Sequence, residues 1–90
     1  MDATEETWIR GVEEGLGIAG GIDDEAKRVL LRLTKVTADA TGVRYLAPLT
    51  AFVVGRAAGR AEAAGERFDL RAASEAVSEL AARWGPPQGG

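Results

Sequence analysis

The chain has 90 residues, neither cysteine nor histidine, and 11 basic against 14 acidic side chains for a net charge of −3. Without those two residue types there is no disulfide framework, and the commonest nucleophiles, general bases and transition-metal ligands are missing. The acidic balance, with a pI near 4.9, argues against a protein that tracks a phosphate backbone.

Asp2, Glu5 and Glu6 stand where a signal peptide needs basic residues. The most apolar run, Leu46 to Val54, is far short of a membrane span. A cytoplasmic location with no membrane contact is therefore expected. At this length a core built by packing alone is thin, so stability is modest or a second chain contributes.

The first helix is expected from about Ala3 to Leu16. Asp2 can cap it, Glu5 and Glu6 suit the positive end of its dipole, and Trp8, Val12 and Leu16 recur every fourth residue with Ile9 beside them. Gly15 and Gly17 supply its exit. Ile22-Asp23-Asp24-Glu25 starts a second helix, whose stripe is Ala26, Val29, Leu33, Val36 and Ala40, flanked by Leu30. Leu31 lies off that stripe and can face a partner, Arg28, Arg32 and Lys35 share a solvated face, and Thr41-Gly42 ends the segment.

A third helix begins near Tyr45 to Pro48, proline being tolerated in a first turn that has no N–H partner to lose. Leu46, Leu49, Phe52 and Val53 fall on one side. Ala47, Ala51, Gly55 and Gly59 fall on another, as a helix-packing track without bulk, and Gly65 closes the helix. Each interior glycine costs about 1 kcal/mol relative to alanine. Two explanations fit the track: a close crossing inside the bundle, which the pattern favours, or a seam between two copies of the chain. Asp69 caps a fourth helix carrying Leu70, Ala73, Val77, Leu80 and Trp84, which Gly85-Pro86-Pro87 stops. No stretch alternates apolar and polar residues as a strand would. The expected fold is all-α, an antiparallel bundle of about four helices over residues 1–85 with a flexible tail at 86–90 and bulk from Trp8, Tyr45, Phe52 and Trp84.

Little in this pattern carries chemistry. Ser74 and Ser78 have no histidine to activate them and read as solvent-facing helix residues. Glu13 with Glu14, and Glu62 with Glu66, read as surface acids rather than cation ligands. Gly15-Leu16-Gly17-Ile18-Ala19-Gly20 spells G-x-G-x-x-G, with Asp39 downstream. That fingerprint requires a strand before it and a helix opening inside it, whereas a helical pattern precedes it here. A helix stop and a loop are the better reading. Arg44, Arg56 and Arg60, with Arg28 or Arg32, could hold a phosphate or a partner's acidic patch; solvated arginines are the plainer reading. No catalytic residue, metal or cofactor is expected, and the chain is not expected to be an enzyme.

The order of these features resembles a known family. Trp8, the Gly-x-Gly exit, Ile22-Asp23, then Val43-Arg44-Tyr45-Leu46-Ala47-Pro48-Leu49-Thr50-Ala51-Phe52, Gly55, Gly59-Arg60 and the closing Leu80-Ala81-Ala82-Arg83-Trp84 are similar to a small domain of unknown function from high-GC Gram-positive bacteria. That domain occurs alone or fused to the molybdenum cofactor guanylyltransferase. The family often has proline where Tyr45 stands and a histidine late in the second helix, near Asp39, so no catalytic residue is carried over. The chain also lacks the glycine-rich nucleotide loop of the guanylyltransferase itself. The resemblance implies a non-catalytic accessory domain that binds a protein of molybdenum cofactor biosynthesis or molybdoenzyme maturation. Arg44, Tyr45, Arg56 and Arg60 are the candidate partner-binding residues. A self-associating helical module, a homodimer, is the alternative, and a small-anion or nucleotide binder using the arginines is a third.

Overall fold

The computed structural model describes residues 1–85. Among them are four helices and no strand: α1 (Ala3–Leu16), α2 (Asp24–Thr41), α3 (Leu46–Ala63) and α4 (Leu70–Ala82). The expected all-α bundle is the observed one. The end of the pattern, Pro86-Pro87 and the residues after it, lies outside the described residues, as does the flexibility expected of 86–90.

Three of the helices start on the aspartates that the sequence marks. The Asp2, Asp23 and Asp69 carboxylates accept the backbone N–H groups of Glu5 (2.8 Å), Ala26 (2.7 Å) and Ala72 (3.1 Å). Each satisfies a donor that the helix itself leaves without a partner. α3 has no side-chain cap. It grows instead from a turn in which Leu46 and Ala47 donate to the carbonyls of Val43 and Arg44, and Pro48 sits in the first turn, where its missing N–H costs nothing. Gly17 and Gly42 end α1 and α2 at φ 71° and 70°, a left-handed conformation that glycine adopts without a steric penalty.

α2 is the central element and packs against both α3 and α4. Its expected stripe is the one that is covered: Leu33 is fully buried, and Ala26, Val29, Val36 and Ala40 are half-buried. The pattern does not reveal Thr37, which is buried one turn beyond Leu33. Its hydroxyl donates to the Leu33 carbonyl at 2.9 Å, so a polar side chain crosses the core without an unsatisfied group. α3 offers Val54, buried, with Leu46, Ala51, Ala58 and Ala61 half-buried around it. From α4 come Leu70, Ala73 and Val77. Ser74 and Ser78 are half-buried on that helix, not solvent-facing as expected: α4 turns an alanine- and serine-rich side to α2, where short side chains allow close approach.

α1 is attached mainly to the first half of α2. Lys27 Nζ lies 2.5 Å from Glu5 Oε2, and the terminal ammonium of Met1 pairs with Asp24. Ile9 and Ile22 meet Leu30 in a small apolar recess between the two helices. Glu13 reaches past the helix end to accept the N–H of Gly21 at 2.6 Å, fixing the connecting loop. These ionic contacts lie at the surface, where water screens them, so they orient α1 more than they stabilise it.

Leu33→Ala should lower stability by about 2–5 kcal/mol, the range for emptying a buried leucine site, as read by urea unfolding. An effect below about 1 kcal/mol would remove Leu33 from the centre of the fold. The α1 cap should also respond to acid. The Glu5 N–H bond holds the Asp2 carboxyl below its ordinary value, so the cap is fully present above the unfolded aspartate pKa of about 3.9 and is lost as pH falls through the lower folded value. Amide chemical shifts of Thr4 to Glu6 should move over that acid range, and Asp2→Asn should abolish the transition.

Candidate interaction surface

The large apolar side chains divide into a covered set and an uncovered one, and the uncovered set holds most of the aromatics. Trp8 is 71% exposed, Tyr45 69%, Phe52 68% and Trp84 42%. The expectation that these four supply the bulk of the core is therefore corrected. On α1 the half-buried side carries Glu5, Ile9 and Glu13, of which Ile9 and Glu13 each follow Trp8 and Val12 by one residue. A step of one residue rotates about 100° around a helix, enough to turn the indole away from the bundle. Trp8 and the exposed Leu31 of α2 instead line the outer rim of the recess between α1 and α2.

The same arithmetic corrects α3. Its inward side is not Leu46, Leu49, Phe52 and Val53 together; Leu46 turns inward, while Leu49, Phe52 and Val53 stay exposed. Nor do Ala47, Ala51, Gly55 and Gly59 form one straight track. Four-residue steps overshoot a 3.6-residue turn by about 40° each, so three of them carry the line about 120° around the helix. Ala47 and Ala51 begin half-buried, and Gly55 and Gly59 finish exposed. A Cβ built on either glycine meets nothing within 4 Å. No close crossing among the described residues covers these two glycines.

The outward side of α3 is a seam of a different spacing. Tyr45, Leu49, Phe52, Arg56, Gly59 and Ala63 follow one another at alternating four- and three-residue steps, and all six are exposed. That alternation averages 3.5 residues and keeps a line of side chains on one face, as at the contact of paired helices. Tyr45 and Arg56, two of the candidate partner-binding residues, belong to the seam. Arg44 precedes it and Arg60 flanks it. None of Arg44, Arg56 and Arg60 has an ion-pair partner among the described residues.

The arginines do not converge on one pocket. Arg28 and Arg32 line a recess between α2 and α4 with Ser74, Ser78 and Arg71, and none of Arg44, Arg56 and Arg60 is part of its wall. Arg71 is engaged there by Glu25, with Nη2 at 2.6 Å. The Gly15–Gly20 segment is the C-terminal stop of α1 and its loop, with Gly17 donating to the carbonyls of Glu13 and Glu14. No group of three or more acidic side chains among the described residues is placed to hold a metal ion. No described helix is long and apolar enough to cross a membrane.

Because the Trp8 ring is largely exposed, Trp8→Ala should change the unfolding free energy by no more than about 0.5 kcal/mol. A buried tryptophan would cost about 3–5 kcal/mol. Urea titration of the purified variant distinguishes the two, and a loss in the upper range would place the ring in the core.

No curated protein and no solved structure matches the chain. The model of one family, described as a domain of unknown function (DUF6457), matches residues 2–89. The match runs through all four helices and both uncovered apolar faces, and the chain belongs to that family.

Proposed function

We propose that this chain is a non-catalytic, cytoplasmic interaction domain that serves as an accessory to a protein of molybdenum cofactor biosynthesis or molybdoenzyme maturation. The observation that carries the interaction role is the placement of Trp8, Tyr45 and Phe52 on outward faces at about 70% exposure. Contiguous exposed apolar surface marks contact with another molecule, and aromatic and arginine side chains are the residues enriched at the energetic centres of such contacts. Arg44, Tyr45, Arg56 and Arg60 supply both types on α3, and Trp8 with Leu31 supplies a second apolar face. The molybdenum assignment is supported by the resemblance of the Arg44–Phe52 stretch to the domain that occurs fused to the guanylyltransferase in high-GC Gram-positive bacteria.

Affinity capture from the native host should recover a molybdenum cofactor or molybdoenzyme maturation protein, and Trp8→Ala should weaken its binding by about 1–2 kcal/mol, a common hot-spot cost. Deleting the gene should lower molybdoenzyme activity, restored by the wild-type chain. Unchanged activity on deletion, with no such protein recovered, would refute the molybdenum role.

A second reading, self-association, is favoured by the amount of surface. A folded monomer of 9.4 kDa exposes about 5,000 Å². This chain exposes 7088 Å².

A further inference from the structure

We infer that the outward face of α3 is covered by α3 of a second copy of this chain, running antiparallel about a two-fold axis. The inference rests on the reading of the chain as an interaction domain and names what occupies one of its two faces. It is independent of the molybdenum assignment, since no residue of the seam belongs to α1, which carries Trp8.

The surface area sets the scale. The 7088 Å² exposed exceeds the expectation for a folded monomer of this mass by about 2,000 Å². Residues 86–90, at the ceiling for unfolded chain, account for only about 600 Å² of that. Well over 1,000 Å² of excess remains, and obligate homodimers bury about 1,000–2,500 Å² per subunit.

The layout of the seam selects the partner and its direction. Its first half is bulky (Tyr45, Leu49, Phe52), and its second half beyond Arg56 is small (Gly59, Ala63), with Gly55 on the flank. A parallel copy would set bulk against bulk and leave a gap at the glycines. Two-fold antiparallel pairing sets each bulky half against the other's small half, because a residue i that meets j is matched by j meeting i. With the axis midway between Phe52 and Arg56, Leu49 meets the second copy's Gly59, and Tyr45 meets its Ala63. Phe52 meets its Arg56, whose guanidinium can lie on the ring as a cation–π contact. Gly55 then lies on the same flank as its own symmetry mate near the axis, where it adds no bulk beside the stacked Phe52 and Arg56.

Charge agrees with this direction. Arg44 stands before the seam and Glu62 near its end, on the same side of the helix, and neither has an ion-pair partner among the described residues. Antiparallel pairing brings Arg44 of each copy beside Glu62 of the other. Parallel pairing would leave Arg44 at one end and Glu62 at the other, with no opposite charge across the contact. The arrangement also accounts for two glycines inside an exposed helix, which a monomer has no use for.

The absence of native cysteine makes a direct test available. Single variants Leu49→Cys and Gly59→Cys should each fold, and when mixed under mild oxidation they should form a disulfide-linked pair of twice 9.4 kDa. The two positions are ten residues apart in one helix, about 15 Å, beyond the span of a disulfide, about 4.4–6.8 Å between Cα atoms, so only a second copy brings them together. Sedimentation equilibrium should show a dimer for the wild type and at least a hundredfold weaker association for Phe52→Asp. A monomer at all accessible concentrations would overturn the inference. So would a dimer in which Leu49→Cys links to itself rather than to Gly59→Cys, or one that Phe52→Asp leaves intact. Protection of the α3 face by a different protein, with no self-association, would assign the face to that partner and likewise overturn it.

Discussion

The packing of α2 against α3 and α4 through Leu33 is the contact on which the rest of this structure depends. Among the described residues Leu33 alone is a fully buried large side chain, and Val54 from α3 joins it in the core. Everything else in the interior is small or half-covered: alanines and serines on α4, alanines on α3, and a threonine hydroxyl that folds back onto its own helix. Such a core lets helices approach closely but removes little apolar area from water. A loss at Leu33 is therefore felt throughout, because no second cluster of comparable size among the described residues compensates for it.

The consequence is a division of labour among the apolar residues. In a self-sufficient domain the aromatics are the largest contributors to the core, since each can bury 150–250 Å² or so. Here Trp8, Tyr45 and Phe52 face outward while the interior is filled by aliphatic and small side chains. The proposed reading is that contact with another molecule completes this hydrophobic surface. The chemical inventory agrees with that role. The arginines are spread over two separate regions, Glu13 is occupied in fixing a loop, and the glycine-rich segment is a helix stop. The α3 seam and the Trp8 face both present residue types that anchor protein contacts.

Much of the fold was legible in the sequence because it is written in local signals. Aspartate caps at Asp2, Asp23 and Asp69 and the glycine stops at Gly17 and Gly42 act within a turn of their own position, and all are where the pattern puts them. α2 was legible as a core helix for a related reason: its stripe alternates three- and four-residue steps and so stays on one side. The candidate faces were less legible. Trp8-Val12-Leu16 and Ala47-Ala51-Gly55-Gly59 share a uniform four-residue spacing, which drifts around the helix, and apolar character alone does not say whether the covering surface belongs to the same chain. The signal that identifies the α3 seam was present as the alternation from Tyr45 to Ala63. It is interrupted by Arg56 and weakened by Gly59, residues that a search for hydrophobic periodicity passes over. Thr37 was missed because a buried threonine looks like any polar position until its hydroxyl is seen bonded to the preceding turn.

The central claim is that one copy of this chain does not complete its own hydrophobic surface. Thermal unfolding followed by circular dichroism across a thousandfold range of protein concentration tests it most directly, since a fold completed by a second copy gains stability by mass action. The account predicts a melting temperature that rises steadily with concentration. A melting temperature independent of concentration over that range, for a chain that remains monomeric, would contradict it.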